Sequence, residues 1–203
     1  MPANNKIKNI LKELKSHAPF TLFGASTGIL LMLIFRNISE NASFTLFYIF
    51  HPTHVVLSAM VTSSIFELHT KKSNFFILLI IGYAGSIGIA TLSDSLIPYV
   101  AEILLGLPAH THIGFIEKWY IVNPAAVLGV MIAYFWPKTK FPHAGHVLLS
   151  TWASLFHILM TITGTVSLLT SLVILVFLFI AVWLPCCVSD IVFPLLFTKD
   201  NNR

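Results

Sequence analysis

Six apolar stretches, at roughly 19–36, 45–66, 75–97, 120–136, 144–163 and 170–197, limit what this chain can fold into more than any other feature. A bilayer's hydrocarbon core is roughly 30 Å thick and asks for about 17 to 25 mostly apolar residues per helix, which these stretches supply. The 203 residues are 56% hydrophobic and only 10% charged, with a mean hydropathy of +0.85. That is more apolar surface than a soluble core buries. We therefore expect an all-α integral membrane protein with six transmembrane helices and the lipid bilayer as its solvent. Ahead of the first stretch, Ile7, Ile10, Leu11 and Leu14 recur at helical spacing, with Lys6, Lys8, Lys12 and Lys15 around the other face. This pattern predicts an amphipathic helix lying on the membrane surface.

The basic residues set topology. If both termini share one side, Lys6, Lys8, Lys12, Lys15, Lys71, Lys72, Lys138, Lys140, Lys199 and Arg203 fall on it, and only Arg36 and Lys118 fall opposite. The positive-inside bias then puts both termini in the cytoplasm of a cell (plasma or inner) membrane. The net charge of +4 thus reflects topology, and nucleic acid is not expected as a partner. The domain plan is a cytoplasmic amphipathic segment at 1–18, a first three-helix unit at 19–98, an external connection at 99–119, a second unit at 120–197 and a cytoplasmic tail at 198–203. The connection is apolar enough to lie at the interface or dip inward.

Three patterns occur twice and in the same order. Pro19 with Gly24 is matched by Pro124 with Gly129. His51-Pro-Thr-His54-Val55-Val-Leu57-Ser58 is matched by His143-Ala-Gly-His146-Val147-Leu-Leu149-Ser150, five identities in eight positions. Ser93-Asp94 with Pro98 is matched by Ser189-Asp190 with Pro194. Three spans per unit force the second unit to enter the membrane upside down, so the expected architecture is a pair of inverted three-helix repeats.

His51 and His54 are spaced i, i+3 and share one helix face. Counting along the spans puts His51 and Asp94 in the outer third of the bilayer, and inversion puts His143, His146 and Asp190 toward the cytoplasmic third. Two histidines with a carboxylate suit a divalent metal ion such as zinc, iron or manganese, because imidazole nitrogen and carboxylate oxygen both donate to such ions. An aspartate at a helix centre costs about 2.5 to 3.5 kcal/mol on insertion, which makes Asp94 and Asp190 functional candidates. The bland alternative is that each aspartate merely pairs with His54 or His146 as a packing contact. His110 and His112 fall in the connection with Glu102, as part of an entry site or, more often for loop histidines, merely solvated, and His157 reads as a core contact. Cys186 and Cys187 could bind a soft metal, but Ala90 and Thr91 hold the matching positions of the first repeat, so they read as small packing residues.

No lysine or arginine lies deep in any span, which argues against a large anionic substrate and favours a cation or proton. The leading expectation is transport of a divalent metal cation or a proton-coupled cation, with Pro98 and Pro194 as hinges; a homodimer is one way for so short a chain to enclose a pathway. A membrane-embedded metal-dependent enzyme acting on a lipid-like substrate is the first alternative, with Ser58, Ser93, Ser150 and Ser189 as auxiliary donors. It lacks H-E-x-x-H, G-x-S-x-G and dense histidine boxes. A structural or partner-binding membrane subunit is the second.

Overall fold

The computed structural model describes residue 19 and residues 21–35, 38–70, 74–162, 167–187 and 192–198. Among these the structure is all-helical apart from the connecting loops, without strands. The elements run α1 (Thr21–Ile34), α2 (Glu40–His69), α3 (Phe75–Thr91), a π turn (Leu92–Leu96), α4 (Ile97–Leu104), α5 (Gly114–Glu117), α6 (Trp119–Phe135), α7 (Lys140–Leu159), α8 (Leu168–Cys187) and α9 (Phe193–Leu196). The segment expected as an amphipathic helix and the Ser189-Asp190 pair lie outside the described residues.

Among the described residues three helices are long and apolar enough to cross a membrane: Glu40–His69, Phe75–Leu104 and Leu168–Cys186. The first starts where Ser39 caps it, its side chain accepting from the Ala42 N–H, and α3 starts at Asn74, whose side chain accepts from Phe76. The third expected span does not stop at 97. Helix resumes past the π turn, because Pro98 sits in the first turn of α4, where its missing N–H does no harm. The connection is correspondingly shorter, and α1 and α6 are shorter apolar helices. Helix α7 has the length of a span but not the apolar composition, since it carries His143, His146, Ser150, Thr151, Ser154 and His157.

Those polar residues point inward. Phe23, Leu30 and Ile34 on α1, Phe76 and Ile80 on α3, and Leu168, Leu169 and Leu172 on α8 are exposed, whereas His54, Ser58, Asp94, His146 and Ser150 are buried. Apolar surface outside and polar groups inside is the arrangement a lipid solvent selects. Helices α2 and α7 form the centre and run antiparallel: Phe50 stacks on Phe156 and meets the edge of Trp152, and Gly145 lies against Leu57. Gly129 of α6 packs directly on the Val56 carbonyl and Ala59 of α2, an approach no side chain would permit. On the other flank, Gly24 of α1 packs on Thr151 of α7.

Candidate functional site

The chemistry-bearing side chains gather where α2, the π turn and α7 meet. The i, i+3 spacing puts His51 and His54 one helical turn apart on the same face of α2. Both reach one oxygen of Asp94: His51 Nδ1 lies 2.9 Å and His54 Nδ1 2.7 Å from Oδ2. The other oxygen, Oδ1, accepts from Ser93 Oγ at 2.6 Å and from Ser150 Oγ at 2.7 Å. Ser154 Oγ donates to the Ser93 carbonyl at 2.9 Å and ties α7 to the π turn. Asp94, Ser93, Ser150 and His54 are fully buried, and His51 is nearly so.

A carboxylate has about four lone-pair sites, and here four donors from three elements occupy them. Because the carboxylate accepts, each histidine carries its hydrogen on Nδ1, which leaves Nε2 as the lone-pair nitrogen. This is the arrangement in which a carboxylate orients imidazoles for work at their far nitrogen. His54 Nε2 is buried and has no hydrogen-bond partner among the described residues. His51 Nε2 faces Gly114, where a Cβ would stand 2.5 Å away, so glycine lets the connection close over the imidazole.

The second histidine pair is nearer than its expected depth. His143 and His146 occupy the first two turns of α7, with rings 4.9 Å apart, and the His146 ring lies 5.7 Å from that of His54. The two pairs adjoin instead of standing near opposite faces, because α7 begins at Lys140 and packs antiparallel along the middle of α2. His143, His146, Ser150, Ser154 and His157 recur at spacings of three and four residues and form one stripe along α7. Facing it on α2 are His51, His54 and Ser58. From His143 to His157 the seam extends about 21 Å at 1.5 Å per residue.

Toward the connection, about two turns beyond Asp94 and Ser150, stands a pair the sequence did not reveal. His157 Nδ1 lies 2.8 Å from Glu102 Oε1, and both side chains are wholly buried. Its place in the connection does not single Glu102 out, and His157, expected as a core contact, is buried but against a carboxylate. The hidden signal was the α7 stripe itself, which ends on His157. Phe47 lies between the two centres, stacked on the His51 ring at 5.1 Å and edge-on to the His157 ring at 5.5 Å.

Comparison with protein-family models, with characterised proteins and with solved structures gives no match. What the site does is therefore argued from its own geometry. Of the six residues expected to hold metal, His51, His54 and Asp94 are joined by hydrogen bonds, His146 and His143 continue from them ring to ring, and Asp190 lies outside the described residues. Among the described residues no group of three or more His, Cys, Asp or Glu side chains is arranged to hold a metal ion. Ser93 and Ser150, expected as auxiliary donors, bond Asp94 directly.

Proposed function

We propose that this chain is a membrane carrier of a small divalent cation, crossing the bilayer six times as two inverted three-helix repeats. The observation that carries the proposal is Asp94: a wholly buried carboxylate, bound by two histidines and two serines, inside a helical span long and apolar enough to cross a membrane. Ionisable groups at such depth are costly and mark ion pathways. A cation entering the seam meets the His54 Nε2 lone pair with a carboxylate behind it to balance its charge. Serine hydroxyls rotate at little cost, so Oδ1 is the oxygen most readily freed to join the ion.

The inverted-repeat reading is supported by a reciprocal contact. Ala59 and Thr151 each stand eight residues after the first histidine of their motif. Gly129 of the second repeat packs on Ala59 of the first, and Gly24 of the first packs on Thr151 of the second. A helix with proline in its first turn also recurs, Pro98 in α4 and Pro194 in α9. Repeats of opposite topology around a central polar site suit alternating access.

Flux of Zn²⁺, Mn²⁺ and Fe²⁺ into liposomes holding an ion-sensitive dye tests the proposal. Wild-type protein is expected to carry at least one of these ions, and Asp94→Asn to reduce its rate by about a hundredfold, the loss that follows when a buried charge of about 2.7 kcal/mol or more is removed from a binding step. Wild-type protein that carries none of them, or an Asp94→Asn variant that carries them at the normal rate, would hand the network back to helix packing.

A further inference from the structure

We propose that Glu102 and His157 form a proton site that couples proton movement to the cation carried at the His51, His54 and Asp94 centre. This rests on the carrier reading above and names its coupling ion. Three observations lead to it.

The first is stoichiometry. Asp94 gathers two imidazoles and two hydroxyls, whereas Glu102 has one imidazole, with its second oxygen taking the His110 backbone N–H at 3.4 Å. A divalent transition ion wants four or so ligands, which this pair does not offer; a proton wants one acid and one base. With Nδ1 donating to Oε1, Nε2 of His157 is the open nitrogen, and it is buried with no hydrogen-bond partner among the described residues. Taking up a proton there turns a neutral imidazole beside a carboxylate into an imidazolium–carboxylate pair, and release reverses it.

The second is a route to the surface. The His112 ring stands 5.5 Å from that of His157, and His112 Nδ1 lies 3.1 Å from Glu117 Oε2. Exposure falls along this series: 37% for Glu117, 23% for His112 and none for His157 or Glu102. The remaining groups here are Tyr48, whose hydroxyl donates to Glu117, and Lys118, whose ammonium lies over the Phe44 and Tyr48 rings. On the far side Phe47 separates His157 from His51 and Asp94.

The third is asymmetry. Under the repeat, the counterparts of Glu102 and His157 are Thr198 and Ile65, so the pair exists at one end of the seam only. Phe47 touches an imidazole of each centre and is the packing contact through which the proposal couples them. Coupling to a proton site at one end of the seam lets a proton gradient drive the cation.

Liposomes separate the two ideas, with Zn²⁺ and Mn²⁺ as probes. In counterflow, with metal on both sides and no pH difference, Glu102→Gln and His157→Gln are expected to exchange metal within about twofold of wild type. With about pH 5.5 outside and about 7.5 inside, wild type is expected to accumulate metal and both variants to lose at least about tenfold of that accumulation. Accumulation at the wild-type level in both variants would overturn the proposal. So would joint loss of counterflow and accumulation in variants that elute as wild type on size exclusion, which would make the pair structural. Absence of wild-type counterflow would instead sink the carrier reading itself.

Discussion

Asp94 and Glu102 are both wholly buried carboxylates on the same helical span, and both are held by α7, yet they are built to different specifications. Asp94 is saturated: each of its oxygens accepts two side-chain hydrogen bonds. Glu102 is held by one histidine and a long backbone contact. What differs is how many elements each carboxylate joins. Asp94 binds α2, the π turn and α7 together, whereas Glu102 links α4 to α7 and leans on the connection. Burial alone therefore does not define a site; the number of donors separates the carboxylate that ties three elements around the proposed cation site from the one proposed to exchange a proton with a single histidine.

The sharpest way to break the comparison is to remove each carboxylate and follow thermal unfolding in detergent. Asp94→Ala strands two imidazole N–H groups and two hydroxyls, and is expected to cost about 3 to 5 kcal/mol, the usual penalty for opening a buried charged network. Glu102→Ala strands one imidazole and is expected to cost about 1 to 3 kcal/mol. Equal losses would show that donor number is not what separates the two centres.

Gly114→Ala sharpens the contrast by striking one centre alone. The added methyl would stand 2.5 Å from His51 Nε2 and 2.6 Å from its Cδ2, so the ring must turn away from Asp94 while His54 stays. The expected cost is about 1 to 3 kcal/mol, as for overpacking elsewhere, with the Glu102 and His157 pair unaffected. Retention of the wild-type His51 imidazole resonance in NMR spectra of this variant would contradict the placement of the connection over the site.

The smallest effect is a pH dependence at the connection. Burial alone would raise the Glu117 carboxyl, but hydrogen bonds from Tyr48 and His112, the nearby His112 charge and the Ile113 backbone outweigh it and hold the group below its ordinary value of 4.5. A carboxyl lowered on folding stabilises the protein above that ordinary value, and the stabilisation fades as pH falls through the folded one. Unfolding temperature should therefore drop somewhat more steeply below about pH 4.5 in wild type than in Glu117→Gln, by a small margin because the side chain is partly exposed. Identical profiles would remove Glu117 from the network.

Much of this was legible in the residues. The i, i+3 pair at His51 and His54, the aspartate in the next span and the serines of the same motifs announced the first centre, since local spacing fixes which side chains share a helix face. Depth was harder to read. Counting along apolar stretches placed His143 and His146 far from His54, because hydropathy marks the lipid-facing surface and says nothing about where a polar-faced helix such as α7 begins. Glu102 was hidden for a related reason: Pro98 reads as a helix end, and only the turn before it lets helix continue to carry Glu102 inward.

That turn settles a matter of phase. Asp94 and Glu102 are eight residues apart, but their α7 partners, Ser150 and His157, are seven apart. On a straight α-helix, side chains eight apart diverge by about 80° around the axis, while those seven apart diverge by about 20°. The second half of the π turn at Leu92–Leu96 lies between the two carboxylates and turns less per residue than an α-helix, so the eight positions advance by less than 80° past two full turns. Two helices with different counts are thereby kept in step, like unequal scales aligned by one intercalated mark, and both carboxylates come to face α7.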